Sequence, residues 1–238
     1  VSVPTDLVAR TVQRFDVPDP GATTRAVTAL LEALALEPDP HTTVIDPAEA
    51  IDVHVADSVA GLEVAALRQA AVIADVGAGA GFPGLILAAA LPDARVDLIE
   101  SSNRKTAVID RLAAAAGLEN RARAVPARAE EWAAGPGAGA YDAVTARALA
   151  RLPVICEYAA PLLRLGGVLV AWKGARDPEE EQAGERAAAE LGLSPPDVTA
   201  SHPYRGSTNR HLYVYYKVTD TPDKYPRRAG VATKRPIR

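Results

Sequence analysis

The stretch Asp75-Val76-Gly77-Ala78-Gly79-Ala80-Gly81-Phe82-Pro83-Gly84 decides the fold. Apolar residues lead into it from Ala71 and a helical pattern leaves it at Gly84, so it reads as a strand turning through glycine into a helix. Glycines at such a turn let the backbone bend sharply and approach a ligand with no Cβ in the way. Gly79, Gly81 and Gly84 satisfy G-x-G-x-x-G, the dinucleotide fingerprint, with Glu100 ending the next strand to hold a ribose.

Outward from this turn, short apolar runs alternate with amphipathic ones. Strands are expected near 71–76, 95–99, 121–125, 141–145 and 167–172. Helices are expected near 84–90, 104–116 (closed by Gly117), 152–163 (closed by Gly166) and 179–191 (closed by Gly192). Such alternation means βαβ units and a parallel sheet covered on both faces. The ending differs, because a strand at 198–201 and one at 211–218 leave no room for a crossover helix, and an antiparallel last hairpin follows. That hairpin, and the acid Asp75 two residues ahead of Gly77, favour the D-x-G-x-G loop of Rossmann-like S-adenosylmethionine methyltransferases. An NAD(P)-dependent oxidoreductase is the alternative reading of the same glycines.

The expected architecture is therefore α/β: a class I methyltransferase fold, its mostly parallel sheet ending in an antiparallel strand, with an N-terminal helical extension. Residues 1–52 form the helical segment, with Thr23 and Thr24 as candidate caps and a second start at Asp46-Pro47-Ala48-Glu49. Residues 53–218 form the catalytic domain and residues 219–238 a basic tail.

Composition agrees. The chain of 238 residues is 48% hydrophobic and 24% charged, which excludes wholesale disorder. No apolar run approaches the roughly 18–20 residues of a membrane span, and no signal peptide is apparent at the N-terminus, so the cytoplasm is expected. One cysteine, Cys156, excludes an internal disulfide framework and a cysteine-rich zinc site; no metal is expected. The net charge is −4, yet from Lys217 onward seven basic residues stand against two acids, leaving the rest at −9. That asymmetry points to an anionic partner for the tail, through Arg227 and Arg228 among others, with the segment ordering on that partner.

The glycine loop also resembles that of the RsmG/GidB family, the 16S ribosomal RNA guanine-N7 methyltransferases. The similarity continues through Glu100-Ser101-Ser102-Asn103-Arg104-Lys105, Arg128-Ala129-Glu130-Glu131, Thr145-Ala146-Arg147-Ala148 and Ala171-Trp172-Lys173-Gly174. It then reaches Asn209-Arg210-His211-Leu212 and Lys224-Tyr225-Pro226-Arg227-Arg228-Ala229-Gly230. The resemblance implies S-adenosylmethionine as cofactor and a guanine in the 530 loop of the small subunit as target. It implies that Gly77 and Phe82 line the cofactor pocket, that Glu100 accepts from the ribose with Ser101 and Ser102 beside it, and that Ala129 and Glu130 meet the adenine. Arg147 would face the methyl-transfer side as cofactor contact and catalytic residue, and Arg128, Lys173 and Arg210 would hold RNA at strand ends.

Guanine N7 has a free lone pair at neutral pH, so no base is needed and no catalytic triad is sought. His54 and Asp57 read as a structural polar contact, and Cys156 and Trp172 as core. A monomer is expected. A non-catalytic ribosome-assembly factor is a third possibility, against which the complete glycine loop, Glu100 and Arg147 argue.

Overall fold

Successive strand residues are buried on opposite sides of one sheet, as the near-continuous apolar runs require. Ile73, Leu98, Ala143, Val168 and Val214 belong to one core, whereas Ala74, Ile99, Val144, Leu169 and Tyr215 belong to the other. The computed structural model describes residues 2–237; Val1 and Arg238, the outer ends of the helical and basic terminal segments, lie outside the described residues. The strands are β1 (Val72–Val76), β2 (Arg95–Glu100), β3 (Ala122–Pro126), β4 (Tyr141–Arg147), β5 (Leu163–Lys173), β6 (Asp197–Ala200) and β7 (His211–Tyr216). They form one seven-stranded sheet in the order β3-β2-β1-β4-β5-β7-β6. All neighbours from β3 to β5 are parallel, and β7 runs antiparallel to both β5 and β6. The strand order reverses between β1 and β4, which places a crevice beyond their carboxyl ends.

Helices α1 (Thr5–Val12) and α2 (Pro20–Leu36) cover the first core together with α6 (Gly84–Ala90) and α7 (Asn103–Ala115). Between them, α3 (Pro47–Ala50), a π-helical turn (Ile51–Ala56), α4 (Asp57–Val59), a 3-10 turn (Ala60–Glu63) and α5 (Ala65–Arg68) run almost without a break. The second core is covered by α8 (Ala129–Ala133), α9 (Leu152–Ala159) and α10 (Pro178–Leu191), and α11 (Val231–Lys234) packs beside α9. Gly61 fixes the segment around α4 to the sheet. A Cβ there would lie 2.2 Å from the Trp172 ring, whose Nε1 donates to the Asp57 carbonyl at 2.8 Å.

Several boundaries differ from the sequence reading. The cap of α2 is Asp19, whose side chain accepts from the Ala22 N–H at 2.8 Å, because Pro20 supplies the first helical φ. Thr23 and Thr24 therefore lie inside the helix and donate to the carbonyls of Ala89 and Pro20. Helix α9 stops at Ala159, not near residue 163, because Leu163 pairs with Tyr141 of β4. Gly166 accordingly belongs to a long β5, its N–H donating to the Lys217 carbonyl. The basic segment after Val218 is folded onto the protein, with Ala232 and Ile237 buried.

Candidate functional site

A cavity of about 670 Å³ opens at the carboxyl ends of the central strands, on the crevice that the strand order defines. Its floor is the glycine loop. Gly77 takes φ +68°, and a Cβ there would come within 2.4 Å of Leu149 on the opposite wall, so the approach of the two loops needs glycine. The Gly77 N–H donates to the Ile99 carbonyl at 2.8 Å, tying the loop to the end of β2.

Asp75 lies beneath this loop and organises it. Its carboxylate accepts from the Gly84 N–H at 2.9 Å and the Thr145 hydroxyl at 2.8 Å. Burial pushes its pKa up to about 6, against those two hydrogen bonds and the positive charge of Arg147. Asp75 thus contributes stability in full below about pH 4 that is lost as pH rises through about 6, a difference on the order of 3 kcal/mol. Asp75→Asn is expected to remove that slope. Urea titrations of both proteins between pH 4 and 7 check it; parallel pH profiles would refute it.

Glu100 ends β2 on the cavity wall. Its oxygens accept from the N–H groups of Gly79 (3.1 Å) and Ser102 (2.9 Å), with Lys105 Nζ at 3.9 Å. Each carboxylate oxygen can accept more than one hydrogen bond, so the group is oriented while keeping capacity for a vicinal diol. Ser101 lines the cavity beside it. Ser102 is not brought to the wall of this cavity, and its backbone N–H serves to orient Glu100.

Phe82 stacks face to face on His54, with centroids 4.2 Å apart and planes 2° from parallel. His54 Nε2 lies 3.1 Å from the Val44 carbonyl, which can only accept, so Nε2 carries the proton. Burial, reinforced by Arg147, pulls the imidazole pKa down to about 4 against the bond to Val44, so the ring is neutral near pH 7. Its bare Nδ1 faces Arg147 Nη2 at 3.5 Å. Arg147 Nη1 donates to Asp57 (2.9 Å) and to the Val53 carbonyl (3.0 Å). The guanidinium is thereby braced from three sides by the π-helical turn and α4, where it borders the main cavity and a side cavity of about 110 Å³. Its neighbour Ala148 has φ +52°, an uncommon value for a residue with a Cβ, at the point where β4 turns into the wall.

Ala129 and Glu130 line the far end of the main cavity with Arg128. Arg210 borders both cavities, its Nη2 donating to the Tyr204 hydroxyl at 3.2 Å. Lys173 lines the side cavity but is ion-paired to Glu180 at 2.6 Å and donates to the Ala150 carbonyl. Arg227 and Arg228 line neither cavity. Arg227 is clamped to the fully buried Glu157, with Nε 2.6 Å from Oε1, and only Arg228 is exposed.

His54 and Asp57, read from sequence as structural contacts, brace Arg147, whereas nothing in the sequence pattern marks Val53, Val44 or Leu149. The spacing of His54 and Asp57, three apart on a helical turn, was the available signal. Cys156 and Trp172 are core. Among the described residues, no group of three or more His, Cys, Asp or Glu is placed to hold a metal ion, and no helix is long and apolar enough to cross a membrane.

A doubly wound sheet with an antiparallel seventh strand, opened at its switch point by a glycine loop, is the Rossmann-like methyltransferase fold. An O-methyltransferase from Bacillus cereus in complex with SAH superposes with a TM-score of 0.56 over 88% of this chain and 97% of that one, at 17% identity. The family model described as GidB, rRNA small subunit methyltransferase G, matches residues 41–213, and the chain belongs to that family. A ribosomal RNA small subunit methyltransferase G from Rubrobacter xylanophilus is 44% identical, over 78% of this chain and 72% of its own length. Its counterpart from Desulfitobacterium hafniense is 36% identical over 82% and 81%.

Proposed function

We propose that this protein is an S-adenosylmethionine-dependent methyltransferase that methylates N7 of a guanine in the 530 loop of 16S ribosomal RNA, acting as a cytoplasmic monomer without a metal. The observation that carries the cofactor reading is the pairing of Asp75 with the start of α6. In a dinucleotide site the first amide groups of that helix receive a pyrophosphate. Here the Gly84 N–H is already given to a carboxylate, which would repel a phosphate and suits a ligand without one. This disfavours the NAD(P) oxidoreductase.

The residues present fit S-adenosylmethionine. Glu100 would hold the ribose, Glu130 and the backbone at Ala129 the adenine, and the loop at Gly77 with Phe82 the remainder of the wall. The bound cofactor supplies an electrophilic methyl group on a sulfonium. Guanine N7 needs no deprotonation, so the protein's work is to align nitrogen and methyl group and to match the charge passing to the purine. Arg147, held rigid by Asp57 and Val53, offers donors on the side where the purine O6 or a phosphate would sit. Arg128 and Arg210 would bind RNA at the mouth, with Lys173 in the side cavity and Arg228 exposed on the surface.

Purified protein incubated with labelled S-adenosylmethionine and small subunits from cells lacking this enzyme should place label on one guanine. N7-specific strand cleavage maps it to the 530 loop. Label elsewhere would reassign the target, and no cofactor binding at all would remove the methyltransferase reading.

A further inference from the structure

We propose that the turn at Gly230, far along the chain from the glycine loop, is part of the cofactor site: it positions the Glu130 carboxylate and so sets recognition of the adenine amino group. The proposal rests on the cofactor reading above. The Gly230 N–H donates to Glu130 Oε1 at 2.8 Å, across a hundred residues of sequence. Glu130 is 5% exposed yet lines the cavity, so this contact fixes a group that ligand must meet. With Oε1 engaged, Oε2 is left to accept from a ligand donor.

The turn is itself held in three further ways. Thr233 Oγ1 shares a hydrogen bond of 3.0 Å with the hydroxyl of Tyr158, another residue of the cavity wall. Arg227 is clamped to Glu157, next to Tyr158 on α9. Ala232, in the short helix that follows the turn, is fully buried. A segment serving only as a charged surface tail would need none of these.

The chemistry selects for an amino group. The exocyclic amine of adenine donates, and an oriented carboxylate accepts it in a charge-assisted bond. A hypoxanthine ring presents a carbonyl oxygen at that position, and two acceptors then face one another. Gly230 and Thr233 act through Glu130 and are positioning residues.

Calorimetric binding of S-adenosylhomocysteine and of its deaminated analogue S-inosylhomocysteine tests this in the full chain. The unaltered protein should prefer the amino form by roughly tenfold or more. Gly230→Pro, which removes the N–H and cannot adopt φ +78°, should bring the ratio close to one. Thr233→Val, an exposed and mild change, should lower it by about threefold, and decides alone if the proline variant does not fold. General loosening of the pocket weakens both ligands together and leaves the ratio unchanged.

The control is Glu130→Gln. If the unaltered protein does not bind S-adenosylhomocysteine, the cofactor reading fails. If Glu130→Gln abolishes the preference while Gly230→Pro and Thr233→Val both keep it, the positioning role of the turn is overturned and the cofactor reading stands.

Discussion

Arg147→Lys is expected to slow methyl transfer by about 10²–10³-fold at saturating cofactor while leaving the fold little changed. Lysine keeps a positive charge beside the buried Asp57, so no carboxylate is stranded. What it loses is the fork. Arg147 spends one nitrogen on Asp57 and the Val53 carbonyl and directs the other past His54. An ammonium is a point charge that can hold only one of these orientations. Single-turnover rates with saturating cofactor and small subunits read the chemical step directly. A rate equal to that of the unaltered protein would remove Arg147 from catalysis.

The largest loss of stability is expected from Arg227→Leu. Glu157 is fully buried in α9, and Arg227 is its partner from the C-terminal segment. Removing one member of a buried ion pair typically costs about 3–5 kcal/mol, because the other is left charged and unsolvated. For a chain of this size that corresponds to a fall in melting temperature of roughly 6–20 °C. The double change Arg227→Leu with Glu157→Leu should recover most of it, since an apolar pair of similar volume has no charge to desolvate. Differential scanning calorimetry compares the three proteins. A single variant melting with the unaltered protein, or a double variant no better than the single one, would contradict this account.

These two arginines also mark what could be read from sequence. Arg147 ends a β-strand in a motif whose neighbours are local, so its place at the mouth of the crevice follows from the strand it terminates. Arg227 sits in a run of basic residues and reads as a charge for RNA, but its partner lies 70 residues away. No local pattern records that pairing. Lys173 is similar, since Glu180 neutralises it from the next helix. Among the elements, the strands and long helices were legible because glycines and apolar periodicity bound them. Helices α8 and α11 and the π-helical turn were not, for four to six residues are too few to show a period. The glycine loop is legible down to Asp75, the acid of its D-x-G-x-G pattern, which accepts from the Gly84 N–H beneath the loop.

The contact between Gly230 and Glu130 has a consequence in time. Chains emerge from the ribosome amino end first, and domains begin to fold as they appear. The sheet needs residues only up to β7, which ends at Tyr216, and can assemble while the last segment is still being made. Glu157 then waits in its helix without Arg227, and Glu130 without the donor that aims it. The nascent protein therefore has its central scaffold before it has a finished pocket. The pocket is finished only once the segment carrying Arg227 and Gly230 has docked against Glu157 and Glu130.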